Sequence, residues 1–171
     1  MTDEPAMIGP SPSERGLPAI PADPAVHARR VARQWSDVCE SYVRKRMREL
    51  GIPEDKIGAS DLEHGIRKAA FMPHETGGGG NTPDGRLNID SGILNPGLFK
   101  HLGLEASEAY AKAPLRVRVD AGIAHEFEEA RGGGDHQYAF EHAPDTKLPI
   151  SRAARELARK IREGERGIAR S

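Results

Sequence analysis

At 171 residues, with 37% hydrophobic and 30% charged side chains, the chain has about the length of one domain. Its 25 Lys and Arg against 26 Asp and Glu give a net charge of −1, without the basic excess of a dedicated nucleic-acid binder. There is no apolar run of the roughly 20 residues that a membrane span needs, no signal-peptide pattern at Met1–Pro5, and a lone Cys39 that excludes an internal disulfide or a cysteine-based zinc site.

The composition reads as a soluble α+β domain, mainly helical, cytoplasmic as synthesised. Six of the 13 prolines fall in the first 24 residues. Residues 1–22 read as a disordered Pro-rich leader or linker, since they lack the apolar content to offset ordering. A single globular domain is expected over 23–165, with a frayed tail at 166–171. Asp23-Pro24 predicts a helix start. Val31, Trp35, Val38, Cys39 and Tyr42 continue it at three- and four-residue steps, to a left-handed stop at Gly51 before Pro53. Ser60-Asp61-Leu62-Glu63 carries a capping-box pattern for a brief helix.

The middle reads as a β-hairpin over 66–90. Ile66–Met72 pairs with Arg86–Asp90, where Leu87 and Ile89 alternate with polar neighbours. Between them, Gly77–Gly80 and Pro83-Asp84-Gly85 predict a mobile tip. No Lys-Ser or Lys-Thr follows the glycines, so a phosphate loop is set aside. After Asn95-Pro96 a helical turn is expected around Leu98–Leu102 and then a loop as far as Tyr110. Pro114 opens a helix to about Arg131, Gly132–Gly134 stop it, and His136–His142 form a short helix. The last helix is the clearest. Ile150, Ala153, Ala154, Leu157, Ala158 and Ile161 recur at helical spacing, with Ser151 as N-cap. Its seven basic residues against three acidic read as a solvated outer face.

Chemistry concentrates between Asp120 and His142. Residues turn by about 100° along a helix, so Val119, Ile123, Phe127 and Ala130 form an apolar stripe. His125 and Glu129, four apart, stack on another face within reach of one ion. Gly122, on the His125 side, leaves room for a ligand or a backbone. His125-Glu126-x-x-Glu129 resembles the zinc-peptidase helix His-Glu-x-x-His, in which two residues one turn apart hold the metal and the intervening Glu activates water. Gly132 and Asp135 fall where the metzincin pattern has its turn glycine and third ligand. The second ligand here is a carboxylate, however, and no Met follows Met72 to form a Met-turn. The third ligand is Asp135, His136 or His142, with His136 preferred. His125, Glu129 and His136 then give two imidazoles and one carboxylate, a set suited to Zn or Fe(II). The bland alternative keeps Glu126, Glu128 and Glu129 as solvated charges opposite Arg131.

Three stretches resemble the C-terminal toxin-type domains of bacterial polymorphic (Rhs-type) toxins. They are Arg48–Pro53, Thr82–Pro96 and Asp120–Glu129, and Ala143–Leu157 continues the pattern. The resemblance implies an effector delivered out of the cell by a larger machine, with a neutralising immunity protein as partner. The residues themselves point to a zincin-like metal-dependent hydrolase, most simply a peptidase acting on a peptide or protein substrate. His125, Glu129 and His136 hold the ion, Glu126 is general base and then acid, Tyr138 stabilises an oxyanion, and the 86–90 strand pairs with extended substrate. Two rivals are a non-catalytic protein-interaction module and a metal-dependent nuclease toxin. No nucleic-acid or membrane partner is expected.

Overall fold

The computed structural model describes residues 40–58, 79–81, 85–89, 93 and 97–170. The leader at 1–22, the helix start at Asp23, the helix at Ser60, the strand at 66–72 and the Asn95-Pro96 turn lie outside the described residues. Those described are mostly helical: α1 (Glu40–Glu49), α2 (Leu104–Lys112), α3 (Leu115–Arg131), α4 (His136–His142) and α5 (Arg152–Arg170).

The α1 helix ends where its glycine predicts. Gly51 adopts φ +88°, so its N–H donates to the Arg48 carbonyl and that of Ile52 to the Met47 carbonyl, both at 3.0 Å. This pairing satisfies the last carbonyls of the helix, and Met47 and Ile52 are both buried. Gly58 then donates its N–H to the Leu87 carbonyl at 2.9 Å. A side chain at 58 would collide with Asn88 Oδ1, 2.1 Å from an added Cβ.

Leu87–Ile89 forms a short ladder in which Leu87 and Ile89 are buried and Asn88 is not. Its antiparallel partner is Gly79–Asn81, with Gly79 opposite Ile89 and Asn81 opposite Leu87. The pairing thus falls within the stretch expected to form the mobile tip.

The α2 helix corrects the loop expected after Leu102. Periodicity misses it because only Ala106 and Tyr110 of its nine residues are buried and Gly103 offers no side-chain cap. Tertiary contacts fix it instead: the Tyr110 hydroxyl donates to the Ile93 carbonyl at 2.7 Å, and Arg118 lies over the Tyr110 ring.

The α3 helix is the hub, packed against α1, α4, α5 and both strands. Val119 and Ile123 are fully buried as expected, each contributing about 1.5–3 kcal/mol by leaving water. The bland alternative of solvated charges fails for Glu126 and Glu128. Arg118, Asp120, Glu126 and Glu128 are buried too, whereas Ala130 is exposed. Each buried charge whose bonds are described has fixed partners, as desolvation demands. Asp120 takes two bonds from Arg46 of α1, 3.0 Å from Nε and 2.7 Å from Nη2. Glu128 accepts from Arg131 Nη1 and from Thr146 Oγ1, both at 2.8 Å.

The α5 helix starts as predicted, with the Ala154 N–H donating to Ser151 Oγ at 3.1 Å. Ile150, Ala154, Leu157, Ala158 and Ile161 are buried, but Ala153 is exposed. Several of its arginines are paired. Arg155 donates to the carbonyls of Pro144, Thr146 and Leu148. Arg159 pairs with Glu156, and Arg166 grips both oxygens of Glu141 at 3.0 and 2.5 Å. With that anchor the helix continues to Arg170, through the residues expected to fray.

Candidate metal centre

The site forms where the chain reverses between α3 and α4. Gly133 and Gly134 take φ of +73° and +89°, a left-handed region that glycine enters without steric penalty. Their N–H groups bond back to the carbonyls of Ala130 and Glu129 at 3.2 and 2.8 Å. Asp135 Oδ1 then accepts the Gln137 N–H at 2.9 Å as the N-cap of α4. His136, the first residue of α4, is thereby directed back at the last turns of α3.

Three donor atoms converge there. His125 Nε2 lies 3.3 Å from His136 Nδ1, and Glu129 Oε1 lies 3.8 Å from the first and 3.6 Å from the second. The centre of that triangle is about 2.1 Å from all three atoms, within the 2.0–2.2 Å of zinc–nitrogen and zinc–oxygen bonds. His125, Glu129 and His136 are the group suited to hold an ion among the described residues. The side chains of His125 and Glu129 are 16% and 20% exposed and that of His136 is 62% exposed, so the site is walled on one side and open on the other.

Electrostatics prepare the donors. Burial, and secondarily the neighbouring His136, push the His125 imidazole down to about 4, against the opposing pull of Glu129. His125 therefore presents a lone pair at neutral pH. Glu129 is held below the usual carboxylate range, chiefly by His136. His136 is raised above the ordinary histidine value, chiefly by Glu129 with smaller help from Glu165 and Asp135.

Of the other residues singled out from the sequence, Glu126 is buried on α3, three residues before Glu129. Asp135 serves as the cap. His142 stacks on Tyr138 at 4.0 Å between ring centroids and is absent from the converging set. The Tyr138 ring also packs against Gly132, where an added Cβ would lie 2.5 Å from it. The space expected at Gly122 is filled by Ile93 and Ile89, whose Cδ1 atoms lie 3.0 and 3.5 Å from an added Cβ. Phe140 and Glu128 were not anticipated. The only signal for Phe140 is its place four residues after His136.

Two surface clefts lie elsewhere among the described residues. One of about 690 Å³ is bordered by Arg44, Arg48 and Arg86. The other, of about 580 Å³, is bordered by Leu104, Arg159 and Ile168. Neither includes a residue of the cluster.

Fold and site together define a mainly helical domain with a candidate two-histidine, one-carboxylate centre at a helix–turn–helix reversal. Comparison with protein-family models, curated proteins and solved structures finds no match.

Proposed function

We propose that this chain is a zincin-like, metal-dependent hydrolase acting on peptide bonds, with His125, Glu129 and His136 as ligands. The observation that carries the reading is the common point about 2.1 Å from all three donor atoms. Donor separations of 3.3–3.8 Å favour zinc over Fe(II). Tetrahedral ligands about 2.1 Å from an ion stand about 3.4 Å apart, whereas adjacent octahedral ligands stand about 3.0 Å apart.

Zinc, when bound, supplies Lewis acidity, lowering the pKa of water and polarising a carbonyl. The chain's own groups do the rest. Glu126, beside the cluster and shielded from solvent, takes a proton from the attacking water and returns it to the leaving amine. The exposed side at His136 admits substrate. Leu87–Ile89, packed against α3, offers a strand to an extended peptide, and the domain is α+β in this sense. The sequence resemblance adds the biological setting, an effector delivered out of the cell and neutralised by an immunity protein. The paired arginines of α5 weigh against the nuclease alternative.

The test begins with protein stripped by chelator, reloaded with zinc and assayed on a peptide library by mass spectrometry. Wild type should bind one equivalent and cut. Glu126→Gln should keep the metal and the fold but lose cleavage. Absence of zinc binding by wild type refutes the centre, and full activity of Glu126→Gln refutes the mechanism. A second reading rests on the 3.3 Å approach of His125 to His136. Here a proton shared by the two rings closes the cluster without metal in a non-catalytic interaction module. It predicts that zinc leaves the histidine resonances unmoved.

A further inference from the structure

The two imidazoles of the candidate centre differ in how they are held. His125 is enclosed, but the His136 side chain is 62% exposed on the first turn of a seven-residue helix. An exposed imidazole in that setting ordinarily samples several rotamers and presents either nitrogen. Here it presents Nδ1, whereas His125 presents Nε2, and the two atoms come within 3.3 Å. A third ring accounts for the choice. Phe140, four residues after His136 and 6% exposed, makes a T-shaped contact with each imidazole. Its centroid is 4.8 Å from that of His125 at 68° and 4.9 Å from that of His136 at 74°. The two imidazoles are themselves 4.8 Å apart at 77°. The three rings form a closed edge-to-face triangle, the preferred geometry for aromatic pairs.

We infer that Phe140 is a positioning residue for the metal centre: its buried ring fixes the planes of His125 and His136 so that Nε2 of one and Nδ1 of the other face a single ion. The inference rests on the metal reading above and adds to it the residue that pre-organises the ligands. Phe140 has no polar atom and does not touch the ion. It acts by removing orientations in which the imidazoles diverge, as the partners of ligating histidines do elsewhere by hydrogen bonding. Leucine at 140 keeps an apolar side chain of similar reach but lacks the planar ring.

Zinc titration of chelator-stripped full-length protein by calorimetry separates the two ideas. Wild type should bind one zinc, and its failure to do so overturns the metal reading and this inference with it. Given binding, Phe140→Leu should weaken it about 10- to 100-fold, the usual cost of losing a residue that orients ligands. The visible bands of the Co(II)-loaded variant should also weaken as four-coordinate geometry is lost. Ile123→Val, in the core of α3, provides a destabilised control and should bind as wild type does. Equal affinity of Phe140→Leu and wild type overturns the positioning role, and so does an equal loss in the Ile123 control. If Phe140→Leu fails to fold, wild-type protein decides by nuclear Overhauser contacts. Contacts from the Phe140 ring to both imidazoles, unchanged by zinc, support the role, and contact with one alone refutes it.

Discussion

Zinc should stabilise this protein through His136, and the effect can be sized in advance. The three donors belong to two helices connected through residues 132–135, so an ion that holds them must disfavour any state in which α4 leaves α3. At a free zinc concentration 100 times the Kd, binding to the folded state alone is worth about 2.7 kcal/mol. For a chain of this length that raises Tm by about 5–11 °C. His136→Ala removes an exposed side chain, so the apo protein should lose less than about 1 kcal/mol. If its zinc affinity falls 100-fold, the same zinc concentration adds only about 0.4 kcal/mol, or about 1–2 °C. Differential scanning fluorimetry with and without zinc reads all four numbers. The effect also has a predictable pH dependence. The His136 pKa is raised, so below it a proton competes for Nδ1, and the zinc-induced shift should shrink as pH falls from 8 to 6. An equal shift in His136→Ala, or one that grows on acidification, refutes the assignment of this residue.

Asp120→Ala removes one of the two carboxylates on the buried Arg46 guanidinium, leaving the more exposed Glu49, and should cost up to about 3 kcal/mol in urea unfolding, with zinc binding retained by whatever remains folded. Two glycines of α5 should respond in opposite directions. Gly164→Ala places Cβ 2.6 Å from the Leu102 carbonyl oxygen and should destabilise by about 1–3 kcal/mol. Gly167→Ala meets nothing within 4 Å and should stabilise by about 0.5–1 kcal/mol through helix propensity, both read as shifts in Tm. The apo protein should lose stability as pH falls from about 6.5 toward 4. Over that range the unfolded His125 binds a proton that the folded one, with its pKa near 4, does not. His136 works in the opposite sense: its raised pKa adds stability that is fully present below about 6.5 and is lost as pH rises through the folded value. His125→Ala should therefore flatten the acid limb of a Tm–pH profile and leave the alkaline limb in place.

Local chemistry was legible in the sequence wherever the controlling atoms lie within a few residues of one another. Gly51 had to end α1, because its left-handed φ lets two N–H groups reach back to the final carbonyls. Pro114 and Ser151 marked helix starts for the same short-range reason. His125 and Glu129 share a face because four residues make nearly one turn. What the sequence could not decide is which faces meet. The sequence left open whether Glu126 and Glu128 were solvated charges; packing buries both, and Glu128 is held in place by Thr146, eighteen residues away. The α2 helix was invisible because its support comes from the Ile93 carbonyl and from Arg118, not from its own periodicity. The third member of the site was likewise a choice among Asp135, His136 and His142. In the tertiary structure Asp135 caps a helix, His142 stacks on a tyrosine, and His136 Nδ1 approaches His125. Residue type and spacing fix which atoms are able to meet. Only the packing of α4 onto α3, across two left-handed glycines, brings His136 up to His125.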